Sequence, residues 1–330
     1  MKQMKKQELY RWVGHSSQLY SLRHVILQDG SGKGTDIFEV STAVGLELDV
    51  LPAQGIDIGR LRYKGVNISF ISKNGYDSPE RILPYEKEFL HTFPAGMLYT
   101  CGLRNVGPPC RDKDEWFPQH GRYHGLVAAN PSAYVEKDFI VIRGIMRESA
   151  LFGHCLQLGR IIRIPIWGSE IIIEDILENL TLQSEEFMFL YHVNFGYPML
   201  SDEARLILPE GRETMPRTAF AKAGLGKECT FEPPIDSEEE RVYFHKLPKP
   251  VIRLENPDLN ITAEITWSND TLPVLAQWRS MASGDYVLGL EPSNCFIMGR
   301  NNERDNGTLR IIKPFEQIKF SMMLRLEEMQ

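Results

Sequence analysis

The sequence predicts an all-β protein, a large sandwich or barrel of antiparallel strands with few short helices. Stretches in which apolar and polar residues alternate recur along the 330-residue chain. They are enriched in β-branched residues, and both features are typical of strands that bury one face. Turn residues separate the stretches. Many strands with turns between them, in a chain of this length, favour a sandwich or a barrel.

Each predicted strand follows from this alternation. In the segment 36–51, for example, Leu46, Leu48 and Val50 fall on one face of an extended chain. The dipeptide 168–169, Gly-Ser, separates two apolar stretches and predicts a hairpin. Strands are expected at 36–51, 66–71, 133–143, 155–167, 170–180, 187–195, 242–244, 251–255, 260–267, 286–290 and 308–326. Helices are expected only at 2–13, 85–91 and 272–281.

The domain organisation is expected to be simple. No change in composition and no linker rich in Pro, Gly or Ser divides the chain, so one domain over residues 1–330 is predicted. Residues 1–34 are expected to form an N-terminal extension that packs on this domain. The polar stretches 77–88 and 210–240 are predicted to be long surface loops.

Charge and composition exclude several classes of protein. The formal net charge is −7 and no basic block occurs, so nucleic acid is not an expected partner. The N-terminus does not resemble a signal peptide, and no apolar run approaches the ~20 residues of a membrane helix. The five cysteines are odd in number and lack a Cys-x-x-Cys spacing, which favours reduced thiols in a cytoplasmic protein. No glycine-rich nucleotide-binding motif and no Gly-x-Ser-x-Gly elbow is present.

Glu291 is the first candidate for chemistry. It lies between an apolar run that ends at Leu288 and the rigid Pro292, which forces the backbone of Glu291 into extended geometry. A loop carboxylate in water, or one that caps nearby amides, is the local alternative. A functional base becomes the better interpretation only in combination with histidines elsewhere in the chain.

His192 is the second candidate. It lies in a predicted strand among large apolar residues, where an imidazole must be hydrogen-bonded or face a cavity. A histidine satisfied within the core is an equally open alternative. Asn194 is two residues further on and therefore shares the face of His192, which favours a polar pocket.

His120 and His124 begin two His-Gly steps separated by four residues. The glycines make a helix improbable, so a helical His-x-x-x-His metal site is not available and no metal is expected. A loop whose glycines let backbone and imidazole approach a ligand closely is the better interpretation. Arg122 belongs to the same loop and is a further candidate for binding.

Three other polar segments offer binding groups. Arg104 and Asn105 lie in a loop shaped by glycines and prolines, where an arginine can clamp hydroxyl or anionic groups or form a surface ion pair. Gln277 and Trp278 combine an amide with an aromatic ring, as sugar sites do; a half-buried tryptophan in a helix is the alternative. Asp57 follows a turn signal and can cap that turn.

The order of these motifs resembles that of a known family. His120-Gly121, then the segment 192–195 and then Leu290-Glu291-Pro292 occur in the same order in aldose 1-epimerases, the galactose mutarotase-like proteins. More closely, the chain resembles a bacterial branch of that superfamily that carries segments similar to 52–59, 100–107 and 119–122. The resemblance covers roughly residues 35–325.

This resemblance implies a galactose mutarotase-like β-supersandwich, with the site on its concave face. It implies that Glu291 is the catalytic base, that His192 is the catalytic acid and that His120 orients the substrate. The further binding candidates are Arg122, His124, Arg104, Asn105, Asn194, Gln277 and Asp57. Two departures from the pattern concern the substrate: Gln54 stands where the branch has arginine, and the acid that binds sugar hydroxyls is matched only weakly, by Glu240.

The predicted function is interconversion of sugar anomers by a Glu/His pair, without a cofactor. Two alternatives remain: an epimerase or isomerase that acts at another sugar carbon, and a carbohydrate-binding protein without catalysis. A glycosidase is disfavoured because it needs two carboxylates. The expected partner is a monosaccharide or a modified sugar, with no nucleic acid and no membrane. The sequence leaves the oligomeric state open, a homodimer included.

Overall fold

A computed structural model describes residues 6–329. Twenty-two strands occur in this part of the chain: β1 (Ser21–Ile26), β2 (Asp36–Ser41), β3 (Leu46–Leu51), β4 (Asp57–Tyr63), β5 (Val66–Asn67), β6 (Leu98–Leu103), β7 (Cys110–Asp112), β8 (Glu115–Phe117), β9 (Ala129–Glu136), β10 (Phe139–Ser149), β11 (Cys155–Pro165), β12 (Glu170–Asn179), β13 (Glu185–Phe195), β14 (Arg205–Ile207), β15 (Glu213–Pro216), β16 (Arg241–Lys246), β17 (Val251–Asn256), β18 (Ile261–Trp267), β19 (Val274–Ala282), β20 (Asp285–Ser293), β21 (Arg310–Ile312) and β22 (Gln317–Glu328). The α-helices are α1 (Lys6–Leu9), α2 (Phe89–Thr92), α3 (Ala219–Ala223) and α4 (Arg300–Asp305). Short 3₁₀ turns occur at Ser16–Gln18, Pro79–Arg81 and Tyr123–Gly125.

The strands form two large antiparallel sheets. The larger has 12 strands, in the order β1-β2-β3-β4-β6-β13-β20-β19-β16-β15, with β21 beside β13 and β5 beside β4. The smaller has eight, in the order β14-β17-β18-β22-β12-β11-β10-β9, and β7 and β8 form a separate ribbon. The predicted all-β class with few short helices is therefore confirmed. Within residues 6–329, no helix is long and apolar enough to span a membrane.

The hairpin predicted at 168–169 is confirmed, because β11 and β12 pair in antiparallel register on either side of it. Three predicted strands each join two observed ones. The segment 36–51 contains β2 and β3, the segment 133–143 contains the end of β9 and the start of β10, and the segment 308–326 contains β21 and most of β22. Of the predicted strand 66–71, only β5 is observed. The alternation pattern did not predict short strands such as β6, because both of their faces are buried and their residues do not alternate.

The helix predicted at 272–281 is wrong. This segment forms the strand β19, which pairs with β16 on one side and β20 on the other. Two neighbouring strands satisfy its backbone groups, so tertiary pairing overrides the local helix preference. The helix predicted at 85–91 is shorter and lies later, as α2. Of the helix predicted at 2–13, α1 is observed, and residues 2–5 lie outside the described residues.

Two hydrophobic clusters pack on opposite faces of the larger sheet. The main cluster combines residues of both sheets, such as Phe189 of β13 and Phe320 of β22, whose rings stack at 4.3 Å between centroids. A second cluster, which includes Tyr99, Leu190 and Ala276, draws only on the larger sheet and its adjoining loops. The larger sheet thus buries one face against the smaller sheet and covers its opposite face, hereafter the outer face, with loops.

A buried ion network joins the two sheets. Arg160 of β11 donates Nη2 to Oδ2 of Asp175 at 2.7 Å and Nη1 to Oδ1 of Asp57, on β4 of the larger sheet, at 2.7 Å. Thr100 of β6 donates to the same Asp57 oxygen at 2.6 Å, and the Tyr191 hydroxyl of β13 donates to Asp175 at 2.8 Å. A single guanidinium therefore holds strands of both sheets in one register.

Replacing Arg160 with methionine should destabilise the fold strongly. The change leaves Asp57 and Asp175 buried without their cation, which costs about 3–5 kcal/mol of unfolding free energy. Arg163→Met is the matched control, because Arg163 lies on the same strand but pairs with Glu174 at the surface, where a pair contributes only about 0–1 kcal/mol. Chemical denaturation measures both values. Equal losses for the two variants would contradict a central role for Arg160.

Candidate active site

A cavity of about 400 Å³ opens on the outer face of the larger sheet. Its apolar floor belongs to the second hydrophobic cluster, and its polar groups come from several strands and loops. The residues that line it are Phe70, Ser72, Lys73, Asn74, Phe89, Leu90, Phe93, Gln119, His120, His192, Arg217, Glu240, Val242, Trp278, Asp285, Glu291 and Ile297.

The larger sheet brings His192 and Glu291 into contact at this cavity. Val193 of β13 faces Leu290 of β20 in antiparallel register, so the residues beside them emerge together on the outer face. His192 Nε2 lies 3.2 Å from Glu291 Oε1. The two strands are almost 100 residues apart in the sequence, and only their pairing makes the two side chains neighbours.

Gly289 makes the space for this contact. It lies on β20 two residues before Glu291 and therefore shares its face. A Cβ atom at Gly289 would lie 2.6 Å from Glu291 Oε1 and 3.2 Å from His192 Cε1. The strand can carry the carboxyl and imidazole groups side by side because this position has no side chain.

His120 reaches the cavity from a loop held by backbone hydrogen bonds. Its amide donates to Gly107 O at 2.9 Å, and its carbonyl accepts from the Gly102 amide at 3.0 Å. His120 has a φ of 58°, in the left-handed region that few residues other than glycine adopt. A Cβ at Gly121 would lie 2.2 Å from Gly102 O. The glycine predicted to admit a ligand therefore admits the backbone of β6.

Aromatic rings fix the position of both histidines. The ring centroid of His192 lies 5.6 Å from that of Phe93, 5.4 Å from that of Trp278 and 6.2 Å from that of His120. His120 in turn packs on Phe89 at 4.8 Å. The imidazoles can therefore rotate little, and their ring nitrogens face a site bounded by apolar surface.

Burial dominates the electrostatics of the Glu291–His192 pair. Glu291 is 1% exposed, and within the described residues neither of its oxygens has a hydrogen-bond partner. Desolvation raises the pKa of Glu291 well above its ordinary value, and the nearby Arg217 opposes this shift. Desolvation also lowers the pKa of His192 to about 4 and holds the pKa of His120 well below its ordinary value. The neutral forms of all three groups are favoured.

Charged groups at the cavity rim form two ion pairs. Arg217 donates to Glu240 Oε1 at 2.5 Å, and the Trp278 indole donates to Glu240 Oε2 at 2.7 Å. Lys73 donates to Asp285 at 2.6 Å. Glu240, weakly indicated by the sequence, thus lines the cavity. The sequence did not indicate Arg217 and Lys73, because no local pattern marks a loop residue that folds over a distant strand. It did not indicate Asp285 either, the first residue of β20.

The strand structure of β19 explains the placement of Gln277 and Trp278. Alternation turns Trp278 to the cavity and Gln277 to the other face. There Gln277 Oε1 accepts a hydrogen bond from His245 Nε2 at 3.0 Å, and Gln277 Nε2 donates to Glu228 O at 2.7 Å. Had the segment been interpreted as a strand, Trp278 would have been the predicted residue. Asn194 does share the face of His192, but its amide donates to Gly96 O and to His192 O.

The other predicted binding residues lie in supporting positions. Asp57 belongs to the Arg160 network between the sheets. Arg104 and Arg122 both contact Glu115, at 2.6 and 3.4 Å, and so tie their loops to β8.

Asn105 donates to Pro118 O at 2.9 Å, and His124 stacks on Tyr99 at 5.1 Å between centroids. These contacts fix the loop that carries His120. Gln54 donates to Asp77 O at 2.6 Å in a buried position. Among residues 6–329, no group of three His, Cys, Asp or Glu side chains is placed to hold a metal ion.

Comparisons with known proteins agree with this architecture. A family model described as "Domain of unknown function (DUF4432)" matches residues 32–326. No curated protein matches the chain in sequence. Among solved structures, a "putative aldose 1-epimerase" from Klebsiella pneumoniae superposes with a TM-score of 0.87 at 23% identity, over 94% of this chain and 86% of that one.

Two further structures have the same fold. A galactose mutarotase-like protein from Clostridium acetobutylicum gives a TM-score of 0.67 at 14% identity, over 94% of this chain and all of that one (100%). A galactose 1-epimerase from Lactobacillus acidophilus gives 0.62 at 14% identity, over 94% and 99%. The fold is therefore the galactose mutarotase-like β-sandwich, as the sequence resemblance implied.

We expect the His192 imidazole to have an unusually low pKa. Because burial disfavours the imidazolium, the His192 ring should titrate near pH 4 instead of its ordinary 6.5. NMR of ring-labelled histidine measures the midpoint, and the spectrum of a His192→Gln variant identifies the signal. A midpoint near 6.5 would mean that the ring is solvated and that the cavity does not isolate it.

Proposed function

The chain belongs to the DUF4432 family, and we propose that it is an aldose 1-epimerase-like enzyme that interconverts the anomers of a monosaccharide. One observation carries the proposal. A buried carboxyl group and an imidazole, each with an unpartnered polar atom among the described residues, meet at 3.2 Å in a cavity large enough for a small ligand. Acid–base pairs of this kind perform proton transfer at an anomeric centre.

In the proposed reaction, ionised Glu291 removes the proton of the anomeric hydroxyl. Protonated His192 gives its proton to the ring oxygen, the bond from that oxygen to the anomeric carbon breaks, and an aldehyde forms. Rotation about the bond between the first two carbons presents the opposite face of the aldehyde. The two proton transfers then reverse and close the ring as the other anomer.

A single proton on the pair is sufficient for this chemistry. Burial by itself places that proton on Glu291 and leaves His192 neutral. Its movement to His192 Nε2 produces the carboxylate and the imidazolium without exchange with solvent. Two groups favour this ionised form: Arg217, whose charge lowers the pKa of Glu291, and sugar hydroxyls that donate to the carboxylate.

Three neighbouring side chains have proposed roles in holding the sugar. Trp278 offers a flat apolar surface beside His192 on which a sugar ring can stack. His120, which lines the cavity beside His192, orients the substrate in this proposal. Glu240, held by Arg217 and Trp278, accepts hydrogen bonds from sugar hydroxyls. A cytoplasmic location is part of the proposal, and it is supported by five free thiols.

Replacing Glu291 with glutamine should remove most of the activity and leave the fold intact. The amide cannot accept the proton, and a positioned base contributes on the order of 10²–10⁴-fold to the rate. Anomer exchange is measured by NMR on freshly dissolved sugars, after subtraction of the uncatalysed rate. Glu264→Gln is the control, because Glu264 lies on β18 of the smaller sheet and pairs with Arg253.

Other outcomes would select other functions. If Glu291→Gln equilibrates anomers as fast as the parent protein, the assigned base is wrong. Incorporation of solvent deuterium at a sugar carbon would identify an epimerase or isomerase that acts there. Tight sugar binding without exchange in the parent protein would identify a carbohydrate-binding protein.

Gly289→Ala should slow anomer exchange by roughly 10–100-fold, because the new methyl group displaces the Glu291 carboxyl group by a fraction of an ångström or more. Gly159→Ala is the matched control, since a Cβ at Gly159, also within a strand, meets no heavy atom within 4 Å. Thermal unfolding of both variants checks that the fold persists. Parent-like exchange by Gly289→Ala, or equal slowing by both variants, would show that the gap at Gly289 does not position Glu291.

A further inference from the structure

The cavity around Glu291 and His192 has one wall that offers a ligand almost only carbon atoms. This wall is α2 together with Phe93, which follows it. The rings of Phe89 and Phe93 stack at 4.6 Å between centroids, and Leu90, which also lines the cavity, is 58% exposed. The wall extends past both histidines, since Phe89 contacts His120 and Phe93 contacts His192.

The backbone of this wall is already engaged. The Asn74 side chain donates to Leu90 O and to Phe93 O, each at 3.1 Å, and the Ser72 hydroxyl donates to Phe93 O at 2.5 Å. A sugar hydroxyl turned towards the side chains of Phe89, Leu90 and Phe93 would therefore lose its hydrogen bonds to water and gain none from these three residues. A hydrogen atom or a methyl group at the same position would be buried favourably.

The rim of the cavity does not favour an anionic sugar. Its two cations are already neutralised, Arg217 by Glu240 and Lys73 by Asp285. A phosphate or carboxylate on the substrate would have to displace one of these acids and would then lie near it. Among the described residues that line the cavity, no lysine or arginine is left over to compensate that charge.

These observations restrict the substrate class, and the restriction rests on the proposed function. We propose that the substrate is an uncharged deoxy sugar, bound with its deoxygenated edge against Phe89, Leu90 and Phe93. The remaining hydroxyls then face the polar side of the cavity, where Glu240, Gln119 and the histidines lie. Two substrates that differ by one carbon-sized group in an apolar pocket differ by about 10–200-fold in kcat/KM. A buried hydroxyl without a hydrogen-bond partner adds to this preference.

The test compares anomer exchange by the full chain on matched sugars. Magnetisation-transfer NMR gives kcat/KM for the 6-deoxy sugars D-fucose and L-rhamnose and for 2-deoxy-D-glucose. The same measurement is made on the hydroxylated parents D-galactose, L-mannose and D-glucose, and on D-glucose 6-phosphate. At least one deoxy sugar should exceed its parent by about tenfold or more, and the phosphate ester should be the poorest substrate.

The outcomes separate this inference from the function on which it rests. If no deoxy sugar exceeds its hydroxylated parent by about tenfold, or if the phosphate ester exchanges fastest, the substrate class is overturned and the epimerase proposal stands. If no sugar in the set exchanges faster than in buffer, the epimerase proposal fails, and the substrate class fails with it.

A surface variant tests the position of the deoxygenated edge. Leu90→Asn adds hydrogen-bonding groups to the wall and should reduce the preference for the deoxy sugar at least threefold, mainly through KM. Leu182→Asn makes the same change at a residue that is 78% exposed, in the turn between β12 and β13, and should leave the preference unchanged. An unchanged preference in Leu90→Asn, with its fold intact by circular dichroism, would overturn the placement against α2.

Discussion

The candidate site depends on the guanidinium of Arg160, although Arg160 does not line the cavity. Arg160 lies between the sheets and binds Asp57 and Asp175, and through them it fixes Thr100 and Tyr191 on two neighbouring strands of the larger sheet. In a strand, successive residues face opposite sides. Tyr191 faces inward, where it is held by its hydrogen bond to Asp175. The next residue, His192, must therefore face the outer side. A one-residue slip of β13 would break that bond and bury the imidazole in the core.

The same alternation explains how distant parts of the chain assemble one cavity. The strands β13, β20 and β19 are adjacent in the sheet, although two of them lie far from the first in the sequence. Each places a functional candidate at the cavity, namely His192, Glu291 and Trp278. Gly289 provides the space between them, because any larger residue would collide with Glu291 Oε1. The loop that carries His120 is then fixed against β6 by backbone hydrogen bonds. Of the three residues that the sequence indicated in this loop, His120 lines the cavity, and Arg122 and His124 do not.

Sequence patterns therefore predicted the parts of the site that strands control. His192 and Glu291 each lie in an apolar strand that is unusual for an ionisable residue, and both line the cavity. In the strand β19, alternation places Trp278 and Gln277 on opposite faces. The incorrect prediction of a helix at 272–281 does not separate these two residues in this way. Arg104 has the glycine-rich setting of a binding loop, yet it pairs with Glu115.

The difference between these cases is physical. A strand specifies the direction of its side chains through a period of two, which can be read locally. The direction of a loop residue depends on packing partners that lie anywhere in the chain, as the contact of Arg217 with Glu240 shows. The architecture of the two sheets was accessible from the alternation pattern and from the family resemblance. The ion pairs at the rim of the cavity were not accessible.

The apolar surroundings of the Glu291–His192 pair have two effects at once. They favour the neutral forms, because burial raises the pKa of Glu291 and lowers the pKa of His192. They also strengthen every electrostatic interaction between the pair and a bound hydroxyl, because little water remains to screen it. The carbon surface that provides this environment is the surface that a ligand must cover. Under the proposed function, a wall that isolates the proton transfer from water also rejects ligands that bring polar groups to it. Catalysis and the choice of substrate would then rest on the same residues of α2.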